Sequence, residues 1–158
     1  NMLEIGALYI ALYARDDPSS FHWAIYHHWS STTGTKFHIR NITSAGGWFS
    51  EHKHNSGIMK EFLLVGLMKI ADVPADLTEA FHASVTAVPY DSPTVNCLSW
   101  VRDALEAAIS AGTIGRFSID EMEREAQAFG SSQFDDAARN VQPRPIATFK
   151  GGSTTNVV

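Results

Sequence analysis

Between Leu3 and Tyr13 the apolar side chains Tyr9, Ile10, Leu12 and Tyr13 fall on both faces of an extended chain, the pattern of a central strand. The cluster RDDPSS, with Pro18, ends it. Phe21 to His28 is aromatic and rich in β-formers, and predicts a second strand. SSTTGT reads as a turn. KFHIRNIT then alternates as a third strand, with Phe37, Ile39 and Asn41 opposite His38, Arg40 and Ile42. SAGGWFSEHKHNSG predicts an irregular loop, and EFLLVGLMKIA resumes a β-like apolar run that helix-favouring Leu, Met and Lys leave open to a helix.

The period changes in the second half. PADLTEAFHASVTAV opens near Pro74 and spaces Leu77, Ala80, Phe81 and Val85 as a helix does. A second helix is predicted from about Cys97 to Ala111, with Val101, Ala104, Leu105 and Ala108 on one stripe and Gly112 beyond its end. A third starts at Ser118, whose spacing to Glu121 is that of a capping box, and is expected to stop at Gly130. Strands first and helices second predict an α+β fold, an antiparallel β-sheet packed against helices. One domain is expected over residues 2–140, with 141–158 an extended and partly disordered tail.

Composition narrows the classes of function. The chain's 158 residues suffice for one domain with a sizeable core. A net charge of -5 with scattered Lys and Arg offers no basic stripe, so no nucleic-acid partner is expected. The apolar stretch Ile5–Ala14 lacks a basic flank and is too short to cross a bilayer. A cytoplasmic protein without stable membrane insertion is the expectation. The lone cysteine, Cys97, excludes an internal disulfide and fits a reducing compartment.

Cys97 is also the chemical focus. At a helix start, free amides and the helix dipole stabilise a thiolate, the nucleophilic form. A buried structural cysteine is the competing reading. A thiol enzyme needs a base, and the base an orienting group. His22 and His38 differ by an even count, so an unbulged hairpin centred near Ser30 places both on one sheet face, while a turn centred around Thr32 to Gly34 staggers them along the strands. In a working thiol site the sulfur lies within hydrogen-bond reach of a ring nitrogen of its base. Trp23 and Trp48 are candidates for lining a substrate pocket, although tryptophans are also ordinary core residues. His27 and His28 are adjacent and face opposite ways. His52 and His54, even joined by His38, lack a carboxylate or cysteine spacing pattern and read as a solvated loop, so no metal is expected. His82 reads as a half-buried packing residue.

HWAIY (His22–Tyr26), then His38 in the next strand, then Asn96-Cys97 opening a helix, resembles the lecithin:retinol acyltransferase family. That family is a circularly permuted branch of the NlpC-type, papain-like thiol hydrolases. The resemblance covers roughly Phe21 to Arg102 and leaves the intervening middle unmatched. It implies a permuted papain-like fold with Cys97 as the nucleophile at a helix N-terminus, His22 as base and His38 as orienter. It implies a hydrolase or acyltransferase acting on an amide, ester or thioester through a Cys97 thioester, with no cofactor. LSWV stands after Cys97 where the family has EHFV, and the tail is polar, which points away from a membrane-lipid acyl substrate. Two alternatives remain: a small-molecule tailoring enzyme using His22 and Cys97 as acid and base, and a non-catalytic binding domain. The acyl group, the acceptor and the oligomeric state are not legible in the sequence.

Overall fold

The computed structural model describes residues 2–41 and 47–151. Ile42 of the third-strand expectation lies outside them. The fold is α+β: a mostly antiparallel sheet with three helices packed on it. Its strands are β1 (Ala7–Ala14), β2 (Phe21–His27), β3 (Gly34–Phe37), β4 (Ile39–Arg40), β5 (Phe49–Ser50), β6 (Lys53–Asn55), β7 (Leu64–Asp72) and β8 (Ile146–Thr148). Six of them form one sheet in the order β6-β3-β2-β1-β7-β8, and β4 pairs with β5. Every pairing is antiparallel except β7 with β8.

β1 is central, as its two-faced apolar run requires, and Ala7 to Leu12 are completely buried. Alternation along β1 and β2 then sorts the two cores. Leu8, Ile10, Leu12, Phe21, Trp23 and Ile25 face the helices, while Tyr9, Ala11, Tyr13, Ala24 and Tyr26 face the other way. The second face is closed by Ile58, Met59 and Leu3. The loop expected between the third strand and β7 is partly ordered, since β5 and β6 both fall within it.

α1 (Thr78–Thr86) buries Phe81 and Val85, and α2 (Cys97–Ser110) buries its whole expected stripe. α2 is held at its start by a capping box. Asn96 Oδ1 accepts from the Ser99 amide at 2.8 Å, and Ser99 Oγ accepts from the Asn96 amide at 2.9 Å. α3 (Ile119–Ala138) does not stop at Gly130. Gly130 is buried inside the helix because a Cβ there would meet Leu12 and Phe21 at 2.8 Å. The glycine marks a close approach between helix and sheet, not a terminus.

The boundary expected at residue 140 also moves. Residues 141–151 belong to the fold, with Ile146–Thr148 forming β8. Arg144 is 2% exposed and donates to the carbonyls of Leu64, Phe62 and Val141 at 2.6 to 2.9 Å. Phe149 is buried in the helix-side core. Among the described residues no helix is long and apolar enough to cross a membrane.

Candidate functional site

At the end of β1 and the start of β2 the sheet opens into a cleft of about 620 Å³ on the face away from the helices. His22 enters it from β2. It pairs across the ladder with Tyr13 of β1, and the two rings lie 5.9 Å apart. The hairpin register pairs Ile25 with Phe37 and Tyr26 with Lys36, so His22, Lys36 and His38 share a face by parity. The β2–β3 ladder ends at Ile25, and the strands part enough for two imidazoles to meet edge to face.

His22 Nε2 and His38 Nδ1 are 2.7 Å apart. His38 Nε2 lies 3.1 Å from Glu51 Oε1, off the line of an ideal hydrogen bond. Glu51 accepts from Arg40 Nη1 at 3.1 Å and meets Lys53 Nζ at 3.6 Å. Burial pushes the Glu51 carboxyl up, but the Arg40 hydrogen bond, its charge and Lys53 outweigh this and hold it below its ordinary value. An ionised Glu51 only accepts, so the His38 proton belongs on Nε2. His38 Nδ1 then accepts from His22 Nε2–H, and the His22 Nδ1 lone pair is left free. Burial, with the charges of Arg15, Lys36 and Arg40, lowers His22 to about 4. Burial and His22 lower His38 to about 2. Both rings are therefore neutral at pH 7, and the His22 Nδ1 lone pair is unprotonated, though less basic than an ordinary imidazole. His52 steadies the array from behind: its Nδ1 accepts from the His38 amide at 3.2 Å, and its ring stacks on Trp100.

Opposite the histidines stands a second polar cluster. Tyr13 donates to Glu61, and Lys36 Nζ lies 3.2 Å from the Tyr13 hydroxyl and 3.3 Å from Glu61. Asn55 donates to the same carboxylate at 2.8 Å. Burial and Glu61 raise Tyr13 far above the ordinary phenol range, so it stays protonated.

Cys97 is the first residue of α2 and is 4% exposed in the helix-side core. Its Sγ lies 3.9 Å from the Phe21 carbonyl, at the peptide that joins Phe21 to His22. Arg15 Nη2 is 3.6 Å from the same sulfur, and Arg15 also lines the cleft. No hydrogen bond joins Cys97 to His22 among the described contacts, contrary to the close approach expected of a working site. The physical reason is strand parity: Phe21 points to the helices and His22 to the cleft, so thiol and imidazole approach one peptide from different sides.

The two tryptophans separate. Trp48 lines the cleft, whereas Trp23 is 2% exposed in the helix-side core and does not line this cleft. The other histidines engage in local pairs: His27 with His82, His28 with the Tyr26 hydroxyl, and His54 against Trp29. Among the described residues no three His, Cys, Asp or Glu side chains group as metal ligands.

Arg15, Lys36, Arg40, Glu51 and Glu61 escaped the reading from sequence. KFHIR held a signal for two of them, because Lys36 and Arg40 alternate onto the His38 face. Glu51 and Glu61 lie outside any periodic run, and only the fold returns them to the cleft. Residues 6–149 match a family of unknown function, DUF6914. No curated protein and no solved structure matches the chain.

Proposed function

The chain belongs to this family, and we propose that its cleft serves a cysteine-dependent hydrolase or acyltransferase of permuted papain-like architecture, acting on an amide, ester or thioester. The observation that carries this reading is the His22–His38 pair in the cleft, with Cys97 lying behind the adjacent peptide on the helix side. Cys97 Sγ rests against the Phe21 carbonyl, and the next residue is His22, whose Nε2 is held by His38 at 2.7 Å. His22 is the base, His38 orients it, and the Glu51 carboxylate stands 3.1 Å from His38 Nε2.

The chemistry runs in two halves. His22 Nδ1 takes the Cys97 proton as the sulfur attacks the acyl carbon, and the leaving group departs with that proton. Water or an acceptor then gives a proton to His22 and attacks the thioester, and the thiol returns. The amides of Cys97 and Leu98, in the first turn of α2, have no intrahelical acceptor and are available to the oxyanion. The proton transfer requires the thiol to swing past the Phe21 carbonyl into the cleft. No cofactor is invoked.

A second reading is favoured by one observation: Cys97 is not among the residues that line the cleft. In that reading His22 is the base of an acid–base site for a small molecule, and the thiol is structural. Intact-mass measurement after iodoacetamide and after an acyl thioester donor separates the two. Thiol chemistry gives one adduct on Cys97, lost in Cys97→Ala and slowed about tenfold or more in His22→Ala. A folded protein whose thiol reacts with neither reagent sinks the thiol reading and leaves the acid–base one.

A further inference from the structure

The charge of the cleft does not balance, and the surplus has an address. Its formal cations are Arg15, Lys36 and Arg40, and its carboxylates are Glu51 and Glu61. Lys36 is paired with Glu61 at 3.3 Å, and Arg40 with Glu51 at 3.1 Å. His22 and His38 are neutral at pH 7. Among the described residues Arg15 has no carboxylate partner within 4 Å, and the hydrogen bond its side chain makes is to the Cys97 sulfur. An excess positive charge therefore stands at the mouth of a cleft in a chain whose net charge is -5.

The lip beside Arg15 has the opposite character. The Ala14 amide donates to the Leu63 carbonyl at 2.8 Å, which holds Leu63 and Phe62 next to the end of β1. Phe62 is 76% exposed and Leu63 55% exposed, and both line the cleft. Two large apolar side chains in water beside an unpaired guanidinium leave apolar area and charge uncompensated at once. Trp48 adds a half-buried aromatic wall.

We propose that the cleft recognises a carboxylate attached to an apolar or aromatic body. Arg15 binds the carboxylate, and Phe62, Leu63 and Trp48 cover the body. The inference rests on the reading of this cleft as the reacting site and names the class of its substrate. An arginine suits the task because its planar fork meets a carboxylate with two donors. Arg15 is a specificity residue here, and the reacting groups remain those already described.

Two measurements on the intact chain test it. The first compares alkylation of Cys97 by iodoacetate and by iodoacetamide, each normalised to a free thiol. The anionic reagent should gain about two- to fivefold in the protein. Arg15→Gln should lose that gain, and Arg15→Lys should keep part of it. The second needs no thiol reactivity: phenylacetate, phenylacetamide and acetate are titrated against the His22 and His38 imidazole resonances. Phenylacetate should bind most tightly, Arg15→Gln should bring it to the level of phenylacetamide, and Phe62→Ser should weaken both aromatic ligands alike. Equal binding of the acid and the amide, or an acid preference that survives Arg15→Gln, overturns the proposal. Acetate binding as well as phenylacetate overturns the apolar half. An inert thiol with Arg15-dependent phenylacetate binding defeats the thiol chemistry alone, and a reactive thiol without carboxylate preference defeats this inference alone.

Discussion

His22 and His38 form a chain of two neutral rings in which each proton is placed by its neighbour. The roles are consequently unequal. His22→Ala removes the base and should slow Cys97 alkylation at fixed pH about as much as any single change can. His38→Gln still offers an oxygen to His22 Nε2–H and should retain measurable reactivity. Glu51→Gln frees the His38 tautomer and should fall between the two. Since these groups act as a unit, His22→Ala combined with His38→Gln should be little slower than His22→Ala alone. A His38→Gln protein slower than His22→Ala would reverse the assignment. At this scale the residue types in HWAIY and the later histidine were legible as chemistry. Their ionisation was not, because burial and three neighbouring cations lower His22, and none of those neighbours is local except by the fold.

The helices were legible by period, and their ends less so. Ser118 and Glu121 marked the start of α3, where Ser118 Oγ accepts the Glu121 amide at 3.1 Å. Glycine often ends helices, yet Gly130 lies inside α3 and serves contact with Leu12 and Phe21. Gly130→Ala should therefore destabilise by about 1–3 kcal/mol, against the usual gain of alanine in a helix. For a chain of this size that lowers Tm by roughly 2–4 °C per kcal/mol, which calorimetry resolves. An unchanged or raised Tm would mean the approach is looser than described. Asn96→Ala removes the α2 cap and should cost about 1 kcal/mol. Since the same cap places Cys97 at the first helical position, it should also alter the alkylation rate.

For the whole molecule, stability should depend on pH through its buried histidines. Burial lowers His22 to about 4, His38 to about 2 and His27 to about 4, so folding favours their neutral forms. Above about 6.5, the ordinary value for histidine, that contribution is fully present. As pH falls toward 4 the unfolded chain binds protons that the folded one refuses, and stability is lost. Urea midpoints at pH 7.5, 5.5 and 4.5 should fall in that order, with a shallower fall in His27→Gln. Flat midpoints would mean that these rings titrate freely in the folded state. A chain ended at residue 140 should lose far more, because it removes β8, the buried Phe149 and the Arg144 bonds to the carbonyls beside β7. Its urea midpoint, compared with that of the chain ended at 151, checks this.

Local pattern determined most of the layers of this protein. The two-faced run of β1, the β-rich run of β2 and the 3.6-residue stripes of three helices follow from where apolar side chains must go to leave water, whereas the fold decided that β7 is a strand and that the third strand breaks at His38 into β3 and β4. Partners distant along the chain were decided only in three dimensions. Glu51 reaches His38, Glu61 reaches Lys36 and Tyr13, Arg15 reaches Cys97, and residues 144–149 dock against β7. Hydrophobic period says which way a side chain points, and it is silent about which charge waits there. That choice depends on strand order and register, in which β1 lies between β2 and β7 and so draws the ends of remote loops around one cleft.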